Sequence, residues 1–351
     1  MRVKTIVSLA IAAYAAHSAI AGTNPIEQLS AGQWLELPNT KIRNVLPVPL
    51  PHGNPRYLVE AWSGGAVDSK RSRLIVWGGG GSDYFGNELY AVDLNTRKVE
   101  RLTDPSLSSF YTDRPAKPDG APVSRHTYGG VTYIAHADRL FAYGGAIRGY
   151  FEQDTWTFDF KTSRWHEMKP SGPVPRGDPG IMADYDPVTK KVYVKDNVDL
   201  YSYSFEANSY TLLAKSPVGY RMSGAIDPKR RKFVMLGDGD AFDIDLSTHA
   251  MKKLVTRGGD AVINSDSPGL AYDPVADRMV AWSGGNTVYA LNLDTGVWTS
   301  AAHQAGPNAE QTEWGTFGRW GYVPEFGVFV LVNDIDRNGY VFKLSPSRKE
   351  R

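Results

Sequence analysis

Four arginines stand just ahead of short segments that are rich in glycine and other small residues. They are Arg125, Arg176, Arg221 and Arg319. A guanidinium group forms paired hydrogen bonds with a carboxylate or a phosphate, so arginines that converge on one pocket would bind an anion. The same arginines could instead form a structural ring of ion pairs with nearby acidic residues, namely Glu60, Asp178 and Asp266. The sequence leaves both arrangements open.

His126 and Tyr128 are the residues whose types best suit proton transfer. Arg125 precedes them, and a neighbouring cation is expected to lower the pKa of a histidine or a tyrosine. In an extended strand, His126 and Tyr128 share one side and Arg125 lies on the other. Asp83 and Glu152 complete the set of candidate catalytic residues. The alternative for His126 is a histidine packed in the wall of a channel.

Two long segments, residues 81–88 and 146–154, combine aromatic and charged residues. They are expected to form one wall of a cleft, where aromatic rings beside carboxylates and arginines would suit a sugar acid. The candidate ligand-binding residues besides the four arginines are Tyr84, Arg148, Tyr150 and Trp320. Glu88 and Asp154 are not counted among the candidate site residues, because they occupy a repeated position. Each lies two residues before a strand aromatic, as do Asp199 and Asp240. That repetition predicts a structural role for them.

The elements that position these residues form a repeat. Six times along the chain an apolar strand leads through a turn to a strand that opens on an aromatic residue. In five of these units another large residue follows nine positions after that aromatic, in the pairs Tyr90–Val99, Trp156–Trp165, Tyr201–Tyr210, Phe242–Met251 and Tyr289–Trp298. Asn, Asp, Thr and Gly occupy the turns between, as tight hairpins require. The spacing predicts four-stranded antiparallel blades.

The sixth unit lacks its last strand. Nine residues after Tyr340 lies Lys349, in a basic segment, whereas Trp34-Leu-Glu-Leu near the other end matches Trp165-His-Glu-Met. The Trp34 strand is therefore predicted to complete the last blade and to close the ring, which removes exposed strand edges. The predicted fold class is all-β, with residues 22–351 forming a single six-bladed β-propeller domain.

The units resemble Kelch repeats over about residues 33–345. The likeness consists of a glycine pair after the second strand, an aromatic-led third strand with an aspartate, and a tryptophan on the fourth, as in Gly144-Gly145, Trp156 to Asp159 and Trp165. It is fullest in blades 1, 2 and 5, whereas blades 3, 4 and 6 lack a complete glycine pair. Kelch propellers include enzymes, glycan-binding proteins and protein scaffolds, so the resemblance alone does not determine a function.

Residues 1–21 have the order of a secretory signal. Arg2 and Lys4 precede an apolar stretch that is too short to span a bilayer, and Ala19-Ile20-Ala21 predicts cleavage before Gly22. The expected location is therefore the periplasm or the cell exterior, with no membrane span. Loss of two basic residues changes the formal charge from +1 to −1. A near-neutral chain without basic runs argues against nucleic acid or an anionic membrane as a partner.

The chain has no cysteine, which excludes disulfides, thiolate catalysis and thiolate metal sites. The absence of cysteine also argues against a galactose-oxidase-like enzyme, which needs a Cys–Tyr cross-link. A sialidase is disfavoured as well, because no repeated sialidase box is found. No cofactor is expected. Asp334 to Gly339 match the first half of a calcium loop, but the twelfth position is Ser345 instead of glutamate, and a hairpin turn is expected there.

Two functions remain. The first is an exported propeller that binds, and as an enzyme would process, an acidic sugar or oligosaccharide at an arginine-lined funnel. It resembles periplasmic sialic-acid mutarotases in fold, export and arginine content. A sugar-acid mutarotase or epimerase, or a polysaccharide lyase with Tyr128 or His126 as base, is favoured over an oxidase.

The second function is that of a non-catalytic, monomeric module that binds an envelope protein through loops near Tyr84 and Tyr150. The sequence does not decide whether the protein is an enzyme.

Overall fold

Six four-stranded antiparallel sheets form a ring in the computed structural model, which describes residues 23–80, 83–107 and 120–345. The first strand of each blade contacts the first strands of both neighbouring blades, so these six strands surround a central channel. The prediction of a six-bladed β-propeller is confirmed. The signal segment predicted for residues 1–21 lies outside the described residues, as does Lys349.

The strands follow one another blade by blade. Blade 1 contains β2 (Gly64–Asp68), β3 (Arg73–Trp77), β4 (Tyr90–Asp93) and β5 (Lys98–Arg101). Blade 2 contains β6 (Val131–Ile134), β7 (Arg139–Ile147), β8 (Tyr150–Asp159) and β9 (Arg164–Glu167). Blade 3 contains β10 (Met182–Asp186), β11 (Lys191–Lys195), β12 (Asp199–Ser204) and β13 (Ser209–Lys215).

The second half of the ring repeats this plan. Blade 4 contains β14 (Ser223–Asp227), β15 (Lys232–Gly237), β16 (Asp240–Asp245) and β17 (Met251–Lys253). Blade 5 contains β18 (Gly269–Asp273), β19 (Arg278–Trp282), β20 (Thr287–Asn292) and β21 (Val297–Ala302). Blade 6 contains β22 (Trp320–Val323), β23 (Val328–Leu331) and β24 (Tyr340–Lys343), and its fourth strand is β1 (Gln33–Glu36).

Closure of the ring by β1 is confirmed by its register. β1 runs antiparallel to β24 and sets Trp34 opposite Phe342, just as Trp165 lies opposite Phe158 in blade 2. The nine-residue offset in the sequence therefore reflects cross-strand pairing. Two residues pair across the hairpin: the one two positions after the leading aromatic, and the one nine positions after that same aromatic. Both lie in the hydrophobic core.

The core is divided among the spaces between neighbouring blades. Between blades 1 and 2, for example, Trp77 packs against Trp165 with their ring centroids 5.0 Å apart. The segment before β2 fills the space between blades 6 and 1, where Ile42 and Leu58 are fully buried. Each blade buries apolar residues against its neighbours, which makes closure of the ring important for the whole fold.

Helices are short. Those within the described residues are α1 (Tyr57–Glu60), α2 (Asp260–Ile263) and the 3-10 turns Ile42–Val45 and Phe317–Arg319. In the described ranges, no helix has the length and apolar character needed to cross a bilayer.

The propeller has two faces. The upper face is formed by the loops that precede each first strand and the loops that join second and third strands. The lower face is formed by the remaining hairpin turns. On the lower face, Arg71 of blade 1 binds both Asp68 and, at 2.7 Å, Asp138 of blade 2. The Tyr133 hydroxyl donates to the same Asp138 carboxylate. Blades 4 and 5 repeat this arrangement with Arg230, Asp277 and Tyr272.

These bridges predict a loss of stability in acid. Hydrogen bonds from Arg71 and Arg230 hold the pKa values of Asp138 and Asp277 well below their usual range. A lowered folded-state pKa contributes stability above the unfolded value, about 3.9, and that stability disappears as the pH falls below it. We expect each carboxylate to contribute on the order of 1–3 kcal/mol. Urea titrations at pH 6 and pH 3 should show a smaller pH effect in the Asp138→Asn/Asp277→Asn variant than in the wild type. An equal effect would contradict this assignment.

Candidate functional site

The loops that precede the first strands are hydrogen-bonded to one another around the upper mouth of the channel. The backbone N–H of Tyr128 donates to the Trp62 carbonyl at 2.7 Å. Ser267 donates to the Arg221 carbonyl at 3.0 Å, and Thr316 donates to the Ser267 carbonyl at 2.8 Å. Residues from several blades are thereby held in fixed positions around the mouth.

Three bulky aromatic residues at equivalent positions of these loops have left-handed backbone conformations. The φ angles are 46° for Trp62, 49° for Tyr128 and 49° for Phe317. Such residues rarely adopt this conformation, which costs of order 1–3 kcal/mol each. The surrounding loop contacts must therefore hold it. The equivalent residues Gly180 and Ser267 are left-handed as well, so this conformation is a repeated feature of the loops, and it places aromatic rings from three blades at the mouth.

An aromatic cluster occupies the mouth. Trp62 stacks on Trp314 with ring centroids 4.2 Å apart and planes inclined by 27°. The His126 ring lies 4.7 Å from the Trp62 ring and 6.2 Å from the Tyr128 ring. Tyr128 in turn meets Phe317 edge to face. Because Trp62 and Trp314 are only half-buried, the cluster presents aromatic surface to solvent.

A small cavity of about 60 Å³ opens beside the two stacked tryptophans. Arg221, Tyr220 and Asp266 form the polar part of its lining. The Arg221 guanidinium donates to the Tyr220 hydroxyl and to Asp266 Oδ2, each at 3.0 Å. Its side chain is 44% exposed, so a ligand can reach it. The cavity combines stacking surface with a cation and a carboxylate.

His126 and Asp83 form a dyad next to this cavity. His126 Nε2 lies 2.9 Å from Asp83 Oδ2, which belongs to the loop of blade 1, and both side chains are partly exposed. The two candidate catalytic residues predicted in separate segments are thus brought together. An imidazole oriented by a carboxylate can accept and return a proton.

The glycine pair of blade 2 explains how His126 reaches this position. The backbone of His126 pairs with that of Ala146 in an isolated bridge. Gly145, with φ of 102°, lies so close that a Cβ there would be 2.5 Å from the His126 carbonyl oxygen. Only glycine permits both this approach and this conformation.

The four arginines do not share one pocket. Arg125 is buried, where it pairs with Asp154 at 2.6 Å and donates to the Gly144 carbonyl. Arg319 is also buried, and Arg176 is an exposed residue that lies 3.6 Å from Asp199. Arg221 is the member of the set that lines the small cavity.

The alternative ring of ion pairs forms only in part. Arg221 pairs with Asp266 as that alternative anticipated. Glu60 instead lies 3.3 Å from Arg56, and burial raises the pKa of its carboxyl group. Asp178 accepts the backbone N–H of Asn197, and burial raises its pKa to about 6.

Tyr128 does not have the environment expected of a base. The expectation was that Arg125 would lower its pKa, but Arg125 is engaged with Asp154. Burial instead raises the pKa of Tyr128, and the nearby Asp178 carboxylate adds to the effect. The tyrosine remains protonated at neutral pH, which leaves His126 as the better proton acceptor of the two.

Tyr84 and Trp320 lie in the interior, away from solvent. The Tyr84 hydroxyl donates to Glu88 Oε1 at 2.9 Å, and burial raises the pKa of Glu88 to about 7. Trp320 stacks on Phe329, and its indole N–H donates to the Val280 carbonyl. Glu88 is thus part of the blade structure, in line with its repeated position in the sequence.

Residues 146–154 form a hairpin instead of the loop expected from the sequence. β7 and β8 stay paired up to Ile147 and Tyr150, although the register shifts by one residue between Tyr143 and Gly145. A two-residue turn of Arg148 and Gly149 joins them. The turn residues have φ angles of 51° and 81°, as this tight turn requires. Tyr150 is 77% exposed at its tip, and Arg148 lies over the Phe85 ring of blade 1. Glu152 is half-buried in β8.

The segment Asp334 to Gly339 is the turn between β23 and β24. Its acidic side chains bind protein groups: Asp336 pairs with Arg43 at 2.7 Å, and Asp334 accepts the backbone N–H of Asp336. No cluster of three or more potential metal-binding side chains occurs within residues 23–80, 83–107 and 120–345.

Trp314 is the main site residue that the sequence reasoning missed. It lies in the long connection between blades 5 and 6, outside every repeat position. The sequence did contain a signal for Trp314. The repeat accounts for the tryptophans of the blades, and few other tryptophans lie outside the strands. A tryptophan that the repeat does not require is a candidate for a surface role.

Comparisons with known proteins do not place the chain in a family. No protein-family model matches it, and no curated protein sequence matches it.

Proposed function

We propose that this protein is an exported Kelch-type propeller that binds an acidic carbohydrate at the upper mouth, on the surface around the small cavity beside Trp62 and Trp314. The observation that carries the proposal is the stacked tryptophan pair next to the exposed Arg221. The proposal of export rests on the signal-like order of residues 1–21, and the Kelch assignment on the repeat and its glycine pairs.

The chemistry of the cavity suits a sugar acid. The C–H faces of a pyranose pack on indole rings, and a carboxylate pairs with a guanidinium. Arg221 Nε and Nη1 are engaged by Tyr220 and Asp266, but among the described residues no acceptor is bonded to Nη2. This nitrogen is available to a ligand carboxylate, while Asp266 can accept hydrogen bonds from sugar hydroxyls.

The same site supplies a group for proton transfer. His126 touches the Trp62 ring, and Asp83 orients its imidazole. If the bound sugar acid is also processed, mutarotation is the class of reaction that this dyad supports: the imidazole accepts the proton of the anomeric hydroxyl as the C1–O5 bond breaks, a proton is delivered to the ring oxygen, and both transfers reverse when the ring closes.

Calorimetric titration with glucuronate and with glucose tests the proposal. The two sugars differ in the carboxylate, so glucuronate should bind more tightly. Arg221→Gln should lower the affinity for glucuronate about tenfold while changing that for glucose little. Trp314→Ala should weaken both, because it removes the stacking surface. Arg176→Gln is the matched control on the same face and should change neither. Equal binding of the two sugars, or an unaffected Arg221→Gln variant, would contradict the proposal.

A second candidate is favoured by the β7–β8 hairpin. Tyr150 is 77% and Phe151 is 39% exposed, and exposed aromatic side chains of this kind are common in protein interfaces. This candidate is a non-catalytic module that binds an envelope protein. Tyr150→Ser distinguishes the two, since it would abolish capture of a protein partner and leave glucuronate binding intact.

A further inference from the structure

The lower end of the central channel holds a second, larger cavity. Its volume is about 400 Å³, and its lining comes from the first strands of all six blades, β2, β6, β10, β14, β18 and β22. Phe317 and Gly318 line its inner end. None of the residues that form the upper cavity lines this one, so the two sites are independent.

Aromatic rings form much of the wall. Four tyrosines occupy the same register position in their blades and line the cavity: Tyr133, Tyr185, Tyr272 and Tyr322. The hydroxyl groups of Tyr133 and Tyr272 donate to Asp138 and Asp277, at 2.9 and 2.8 Å. These bonds fix the two rings, and donation to a carboxylate increases the electron density of a phenol ring. Both effects favour attraction of a cation to the ring faces.

One carboxylate, Asp184, lies among these rings. The equivalent residues in the other blades are uncharged: Ala66, Thr132, Ala225, Ala271 and Gly321. Asp184 accepts hydrogen bonds from neutral groups, the N–H of Ile226 at 2.7 Å, the N–H of Tyr185 at 2.8 Å and the Thr132 hydroxyl. In the described part of the chain, no Lys or Arg lines the cavity and none forms an ion pair with Asp184.

An uncompensated carboxylate in such surroundings is electrostatically costly, and a cation would offset the cost. Burial raises the pKa of Asp184 to about 6, so the group is still ionised at pH 7.5. A metal ion needs several oxygen ligands, whereas this wall offers one carboxylate and mainly apolar or aromatic surface. An alkylammonium ion is weakly hydrated and is attracted both to carboxylates and to aromatic faces.

We propose that the lower cavity binds a small organic cation of the alkylammonium class, with its charge at Asp184 and its alkyl groups against the tyrosine rings. The volume of the cavity lies within the range of small-molecule sites. The proposal does not depend on the carbohydrate function assigned to the upper mouth.

Calorimetric titration at pH 7.5 with choline and with its neutral isostere 3,3-dimethylbutan-1-ol provides the test. We expect choline to bind at least about ten times more tightly than the alcohol, which matches it in shape but has no charge. Asp184→Asn should lower the choline affinity at least about tenfold and leave the binding of the alcohol unchanged. Arg221→Gln, in the upper cavity, is the control and should bind choline like the wild type.

A second variant covers the case in which Asp184→Asn does not fold. Ala271→Lys introduces an ammonium group from another wall of the cavity and should abolish choline binding. Failure of the wild type to bind choline, equal binding of choline and the alcohol, or retention of choline binding in the variants would overturn the proposal. Displacement of choline by millimolar CaCl₂ with no effect of sodium chloride at equal ionic strength would also overturn it, since it would indicate a metal site.

Discussion

Replacing Arg319 with methionine should lower the free energy of unfolding by about 3–5 kcal/mol. Its guanidinium is fully buried and donates to the Ser63 carbonyl of blade 1 at 2.8 Å and to the Val332 carbonyl of blade 6 at 2.7 Å. It also donates to the Thr312 hydroxyl and the Gly315 carbonyl. Methionine fills a similar volume but makes none of these four hydrogen bonds. The Gly315 carbonyl keeps a second donor, the Thr312 hydroxyl, whereas the Ser63 and Val332 carbonyls lose the side-chain donor that Arg319 supplies. The hydrogen bonds that are lost lie at the junction where the last blade meets the first.

Arg319 is unusual because its partners are neutral. Among the described residues, no carboxylate is within ion-pairing distance, and burial lowers its pKa to about 9, so it is still charged at neutral pH. Urea titration at pH 7 measures the effect. Arg319→Lys, with three donors, should fall between the wild type and the methionine variant. Arg176→Met, at an exposed arginine, should change stability by less than about 1 kcal/mol. A methionine variant as stable as the wild type would mean that relief of the buried charge balances the lost hydrogen bonds.

Replacing Trp34 with alanine should also cost about 3–5 kcal/mol. Trp34 is 3% exposed, its ring lies 4.9 Å from Phe342 and 5.8 Å from Trp320, and its indole N–H donates to the Asn286 carbonyl. The side chain therefore attaches β1 both to blade 6 and to blade 5. Without it, β1 should separate from β24 more often and expose the edge of that strand.

Two measurements check this second expectation. Urea titration should give the loss of stability, and light scattering at increasing concentration should show self-association, because an exposed strand edge pairs with other chains. Gln33→Ala is the matched control, since Gln33 lies beside Trp34 in the same strand but is exposed. A Trp34→Ala variant of unchanged stability would mean that the other three strands of blade 6 hold the ring closed without β1.

The repeat could be read from the sequence because it reflects local geometry. The spacing between Trp156 and Trp165 follows from the register of one hairpin, and the same spacing located the closing strand at Trp34. Among the repeated acidic residues, Asp154 accepts hydrogen bonds from Arg125 and Trp156, in agreement with the structural role predicted for it.

The site was less predictable because exposure is decided by contacts between distant residues. Arg125 and Arg221 precede similar strands, yet one is buried against Asp154 and the other is exposed beside Tyr220. No local pattern distinguishes them. The stacking of Trp62 on Trp314 also could not be predicted, because Trp314 lies in a connection far along the chain. By contrast, the pairing of His126 with Asp83 agrees with the choice of both as candidate catalytic residues.

The pairing of β1 with β24 also has a consequence for biosynthesis. The chain is made from its N-terminal end, so β1 is among the first strands of the domain to leave the ribosome, and β24 is the last. Blades 1 to 5 are each built from neighbouring segments of the chain, whereas β1 must wait for nearly the whole chain before its partner is present. Until the last blade is present, the Trp34 side of β1 lacks the aromatic rings that cover it in the folded protein.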